Sequence, residues 1–190
     1  MRRIVRTLAV LGAVALSACS GGGSVLNFDG SAKGDRVILT VQAPSNIARV
    51  VPGGSLPISA VTVRGSENGF VNSNRYIWSA ALTTGLQYPA FELGQTKPCA
   101  SVTLTVPGPV TTPLVADFSL YITIDPTNEA NILFSPPPVI PVPPGLPAGS
   151  VVNQAAANFP YCVVVSATNI DSKAVGSITV AVVNPLAPTQ

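Results

Sequence analysis

From residue 36 onward the chain is written in short runs in which apolar side chains recur at every second position, each run closed by Gly, Pro, Asn or Asp. A period of two puts alternate side chains on opposite faces of an extended backbone, so each run predicts a β-strand with one buried and one solvated face. The runs are Arg36 to Gln42, Leu56 to Arg64, Tyr76 to Ala81, Ser101 to Val106, Asp117 to Asp125, Asn131 to Phe134, Tyr161 to Thr168 and Ser177 to Val183. The cleanest alternation is Asp117 to Asp125, which sets Phe118, Leu120, Ile122 and Ile124 on one face against Ser119, Tyr121 and Thr123 on the other. Pro52-Gly53-Gly54, Glu67-Asn68-Gly69 and Asn169-Ile170-Asp171 supply turn chemistry between runs. No stretch carries the apolar spacing of an amphipathic helix. The expected fold class is therefore all-β, a sandwich of about eight antiparallel strands. A chain with only 9% charged residues, 16 glycines and 19 prolines suits such a turn-rich architecture better than a helical one.

The first residues are of another kind. Arg2, Arg3 and Arg6 form a positive start, and Leu8 to Leu16 forms an apolar stretch too short to span a bilayer, which is the pattern of an export signal. Leu16-Ser17-Ala18-Cys19 follows at once and resembles the lipobox of bacterial lipoproteins. The resemblance implies a signal peptide of residues 1–18, cleavage between Ala18 and Cys19, diacylglycerol on the Cys19 thiol and acylation of the new amino terminus. Each buried CH₂ contributes about 0.8 kcal/mol, so two or three acyl chains on one residue give nearly permanent membrane attachment. Ser20 stands where an Asp would favour inner-membrane retention in some Gram-negative bacteria, so the outer membrane is the expected location in such a host. Residues 19–35 carry the Gly/Ser character of a tether, and residues 36–190 form the expected domain.

Loss of the leader removes three of the ten basic residues and leaves seven against eight acidic ones, a net charge of about −1. Such a balance offers no basic field for nucleic acid. With Cys19 consumed by lipid, Cys99 and Cys162 remain as an even pair in an oxidising compartment and are expected to be bonded. Closure of a loop of about 60 residues would stabilise the fold by ~4 kcal/mol in the chain-entropy account. Residues 135–149 (SPPPVIPVPPGLPAG) contain seven prolines and cannot pair as an interior strand, because proline has no N–H to donate. An extended loop is expected there. A preformed polyproline segment can also dock into an aromatic-lined groove, but a plain spacer is the preferred reading.

Val51-Pro52-Gly53-Gly54-Ser55 ahead of an alternating strand, then Tyr76-Ile77-Trp78-Ser79, resembles the first half of bacterial immunoglobulin-like domains of the group 2 kind. The segment from Tyr161 to Asn169, followed by Asp171, Lys173 and Gly176 to Val180, is similar to their closing hairpin. The resemblance implies a Gly-Gly turn before strand B and a core tryptophan, Trp78, on strand C. Cys99 follows Trp78, so a bond to Cys162 is not the bridge between strands B and F of antibody-like domains, and no tyrosine corner is implied. The family's domain is shorter, so Leu82 to Asn158 is expected to form an enlarged middle section.

Chemistry is thinly supplied. The absence of His excludes Ser-His-Asp and Cys-His nucleophile systems and leaves two thiols with no partners for a tetrahedral metal site. Eight scattered acidic residues offer at most an accidental pair such as Glu67 with Glu92, and Lys97 and Lys173 are poor bases for a Ser-Lys dyad. Asp125, Asn128, Glu129 and Asn131 are candidate oxygen ligands for Ca²⁺, although an Asx-type turn is the preferred reading. Tyr76, Tyr88, Tyr121 and Phe91 would form a sugar-binding platform if their rings faced outward. No cofactor and no enzymatic activity are expected. The functional expectation is a membrane-anchored, non-catalytic module for cell-envelope interaction or structure, meeting an envelope protein or glycan, with a carbohydrate-binding or scaffolding subunit of a surface polysaccharide system as the first alternative and a minor hydrolase with paired carboxylates as the second.

Overall fold

The computed structural model describes residues 27–29, 37–44, 48–64, 75–89, 95–108, 110–153, 159–184 and 186. Two five-stranded sheets pack face to face, as the alternating runs require. The first holds, in spatial order, β1 (Asn27–Asp29), β2 (Val37–Gln42), β4 (Leu56–Arg64), β12 (Asn131–Phe134) and β11 (Ile122–Ile124). The second holds β10 (Ala116–Asp117), β5 (Tyr76–Leu82), β14 (Tyr161–Asn169), β15 (Val175–Val182) and β3 (Arg49–Val50). All neighbours are antiparallel except β3, which runs parallel to β15. With β2, β4, β12 and β11 standing for strands A, B, E and D, and β5, β14 and β15 for C, F and G, this is an immunoglobulin-like sandwich; β10 adds a C′ strand.

The core sits between the inward faces. Along β5 the inward residues Tyr76, Trp78, Ala80 and Leu82 are buried while Ile77, Ser79 and Ala81 are exposed. From β14 and β15 come Val163, Val165, Ala167, Ile178 and Val180, which meet Leu39, Val41, Ile58, Ile132 and Phe134 of the opposite sheet. Trp78 occupies the core as expected, and its indole N–H donates to the Glu129 carbonyl at 2.8 Å. Gly176 marks a close approach of the sheets, since a Cβ there would lie 2.6 Å from the Leu39 carbonyl oxygen.

The enlarged middle section has a definite design. The segment between β5 and β10 carries the hairpin β6 (Gln87–Pro89) and β7 (Thr96–Pro98), followed by β8 (Thr103–Val106) and β9 (Val110–Pro113). The segment between β12 and β14 contributes β13 (Val151–Asn153), which pairs with β8, so two separate insertions build one three-stranded sheet, β13-β8-β9. Val102, Leu104, Leu114 and Ile140 from these insertions join the main core. The proline segment forms no strand, as expected, but it is packed rather than free. Pro136, Pro137 and Ile140 are buried, and the Pro136 carbonyl accepts the Gly53 N–H at 2.8 Å.

Two expectations change. The run Asp117 to Asp125 is not one strand: it ends β10, makes a 3₁₀ turn over Ser119–Tyr121 and enters β11, so the chain crosses from one sheet to the other. Asp117 Oδ1 accepts the Ser119 N–H at 2.8 Å, and Ser119 Oγ takes the Ala80 N–H at 3.1 Å, which halts pairing along β5. Phe118 consequently enters the core while Leu120 is 91% exposed, despite sharing the same alternation. Secondly, β1 lies inside the stretch expected to be tether, so residue 27 already belongs to the first sheet. The turn at Glu67-Asn68-Gly69 lies outside the described residues.

Replacing Gly176 with Ala is expected to destabilise the fold by about 1–3 kcal/mol, because the added methyl meets backbone that cannot step aside. Urea unfolding followed by Trp78 fluorescence measures it. Tyr161 yields the opposite expectation. Its hydroxyl is buried with no hydrogen-bond partner among the described residues, and burial pushes its pKa well above the usual phenol range. Tyr161→Phe should therefore leave stability unchanged or raise it by about 1 kcal/mol in the same measurement.

Candidate functional site

Cys99 and Cys162 are bonded, with Cα atoms 5.7 Å apart. Cys162 points away from the core on the outer face of the second sheet, where alternation along β14 places it opposite Ala181 of β15. Tyr88, Ala181 and Val183 close over it with Val51, Leu86 and Cys99, forming a second, smaller apolar cluster. The bond therefore fastens the β6–β7 hairpin to the back of the sandwich. Backbone hydrogen bonds from Cys99 N–H to Leu86 O at 2.8 Å and from Ala100 N–H to Pro160 O at 2.7 Å hold the same junction. The Arg49 guanidinium lies 5.5 Å from the Tyr88 ring centroid and donates to the Pro89 carbonyl.

The oxygen-rich loop after β11 folds as an Asx turn. Asp125 Oδ1 accepts both the Thr127 N–H at 2.8 Å and the Thr127 hydroxyl at 2.7 Å. Asn128 Oδ1 accepts the Ala130 N–H at 3.1 Å, and the Glu129 carbonyl is taken by Trp78. The oxygens that shape this loop and seat the tryptophan are Asp125 Oδ1, Asn128 Oδ1 and the Glu129 main-chain carbonyl. No cluster of three His, Cys, Asp or Glu side chains suited to a metal occurs among the described residues. Hydrogen bonds from the Thr127 side chain and backbone hold the Asp125 carboxyl below its ordinary pKa, and those from Ser119 do the same for Asp117.

Among the described residues, the aromatic candidates Tyr76, Tyr88 and Tyr121 do not form an outward platform. Tyr76 is buried, and its hydroxyl lies 2.8 Å from Thr62 Oγ1. Tyr88 is buried over the disulfide, and Tyr121 packs edge-on against Phe118 with centroids 5.2 Å apart. Rings with apolar bodies and one polar tip are more strongly driven into a core than onto a surface in a domain this poor in large side chains. Phe91, Glu67 and Glu92 lie outside the described residues, as does Cys19. Lys97 is exposed on β7, and Lys173 is exposed at φ +61° in the β14–β15 turn, whose geometry is set by Asn169 Oδ1 accepting the N–H groups of Asp171 and Ser172.

What the sequence did not announce is a pair of depressions on the first sheet. One, of about 500 Å³, lies across β2, β4, β12 and β11, with Gln42, Pro57, Thr123 and Leu133 among its walls. A second, of about 350 Å³, lies where β4 runs on past the end of β12, and Thr62, Tyr76 and Asn128 line it. Ser59 and Asn131, register partners across β4 and β12, belong to both. Only the pairing of a nine-residue β4 with a four-residue β12 creates this step, and strand length mismatch has no signature in either strand alone.

The depressed carboxyl pKa values carry a sign. A group whose pKa is lower in the folded than in the unfolded chain stabilises the fold above its unfolded value, near pH 4, and that contribution fades as pH falls through the folded value. Melting temperatures of the native protein should therefore decline as the solution is acidified below about pH 4, and the Asp117→Ala/Asp125→Ala double variant should show a shallower decline over the same range. Comparisons with family models, with curated proteins and with solved structures gave no match.

Proposed function

We propose that the protein is a bacterial lipoprotein of the cell envelope, held by acyl chains on Cys19 and presenting a non-catalytic immunoglobulin-like module to a partner outside the cytoplasm. The observation that carries this reading is Leu16-Ser17-Ala18-Cys19 at the end of an Arg-led apolar leader. The bonded pair Cys99–Cys162 supports it, because such bonds persist in oxidising compartments. The lack of His and the engagement of Asp125 and Asp117 in turns support a role in binding rather than reaction. The likeness of the Gly-Gly turn, Trp78 and closing hairpin to group 2 bacterial immunoglobulin-like domains adds a fold often used for such contacts, which by itself fixes no function.

The carbohydrate-binding alternative finds no aromatic platform among the described residues but is favoured by the hydroxyl and amide groups of Ser59 and Asn131, set among apolar wall in the larger depression. The hydrolase alternative gains no support from the described residues.

Cys19→Ala is expected to leave an uncut precursor without lipid, seen as a mass larger than the mature protein by the leader and smaller by the acyl groups. Mass spectrometry of the amino-terminal peptide from the host envelope decides the matter: a first residue lacking acyl chains overturns the anchor.

A further inference from the structure

The two depressions adjoin at the shared residues Ser59 and Asn131, one on the outer face of the first sheet and one where β4 outruns β12, and are together called the trough. Its polar walls are built from amides and hydroxyls: Gln42, Ser59, Thr123 and Asn131 on the face, Thr62 and Asn128 on the flank. Hydroxyls and amides both donate and accept hydrogen bonds; on the flank Asn128 Oδ1 already accepts from Ala130 and Thr62 Oγ1 already bonds Tyr76, which leaves the Asn128 amide N–H groups to donate. A row of such groups matches a ligand whose own polar groups are also both donors and acceptors, which is the property of sugar hydroxyls. Pro57, Leu133 and Ile124 supply apolar wall for the C–H faces of pyranose rings, and Leu133 and Ile124 are 40% and 43% exposed.

Charge narrows the ligand further. Among the described residues no Lys or Arg lines either depression, so none of them compensates a phosphate or carboxylate there. The one carboxylate, Asp125, has an oxygen bonded twice to Thr127 and would repel an anion. Each depression is of the size that small-ligand sites occupy, roughly 300–1,000 Å³. An added peptide strand along the open edge of β11 is the competing occupant, but it would use the backbone edge and leave the flank around Thr62 and Asn128 untouched.

We propose that this trough binds a neutral oligosaccharide, with the cross-strand pair Ser59 and Asn131 at its centre. The inference rests on the reading of the domain as an extracytoplasmic binding module and names the ligand class for it.

The test uses the protein as its host makes it, in detergent micelles, titrated with maltohexaose, with chitohexaose and with an anionic oligogalacturonate while backbone amide signals are followed. The expected result is saturable shifts with at least one neutral sugar, confined to residues of the trough, with weaker or no binding of the anionic one. Asn131→Ala should weaken binding about tenfold, the loss of one well-made hydrogen bond, and Ser59→Trp should abolish it by filling the centre. Thr179→Ala, on the outer face of the opposite sheet, should bind as the native chain does, and unchanged signals away from the trough confirm that the variants are folded. The proposal is overturned if neither neutral sugar shifts the trough at millimolar concentration, if the shifts fall elsewhere, if Asn131→Ala and Ser59→Trp bind like the native protein, or if the anionic sugar binds as well. Because the titration reads the trough whether or not Cys19 carries lipid, its failure alone leaves the anchor standing. A first residue without acyl chains, together with a successful titration, removes the anchor alone.

Discussion

Strand β14 is the member on which the rest of the molecule hangs. It pairs along nearly its whole length with β5 on one side and β15 on the other, and its inward Val163, Val165 and Ala167 are fully buried. Its outward Cys162 receives the disulfide that fastens the β6–β7 hairpin. One nine-residue strand thus joins the second sheet, the core and the insertion. It can do so because its sequence is apolar on both faces at its first residues and alternating thereafter, which matches a strand covered on both sides at one end only.

The insertions solve a problem set by composition. A chain with so few charged side chains has little with which to solvate long exposed edges and faces, and an open sheet edge invites unwanted pairing. Here β13 from one insertion pairs with β8 from the other, and the proline segment lies against the Gly53 turn. At β5, Ser119 blocks further pairing with its own side chain. These devices cover edges with neutral groups in place of charges, and the same economy leaves amides and hydroxyls as most of the polar groups in the trough around Ser59 and Asn131.

The oxygen-rich loop after β11 shows how one group of residues supports two chemical readings until its hydrogen bonds are seen. Asp, Asn and Glu in close succession are what a calcium loop needs and also what an Asx turn needs. The bonds seen are those of the turn: Thr127 donates to Asp125 Oδ1, Ala130 donates to Asn128 Oδ1, and Trp78 donates to the main-chain carbonyl of Glu129. The loop is thereby fixed to the core through the tryptophan, and it forms one wall of the trough.

Periodicity and turn residues determined the class of fold, the placing of β2, β4, β5, β12, β14 and β15 and the exclusion of the proline segment from the sheets, because these follow from local backbone geometry and side-chain polarity; the core position of Trp78 was what the family resemblance implied. The partnership of Cys99 with Cys162 was legible because the third cysteine, Cys19, stands in the lipobox-like leader segment and was expected to be used there. What lay beyond the sequence were relations between distant segments. The break at Ser119 depends on a hydroxyl reaching the Ala80 N–H, 39 residues away in the chain. The third sheet depends on two insertions meeting, and the trough depends on β4 outrunning β12. A period of two shows that side chains alternate, but only packing decides where a strand stops and which neighbour it meets there, since those outcomes are set by long-range hydrogen bonds and excluded volume.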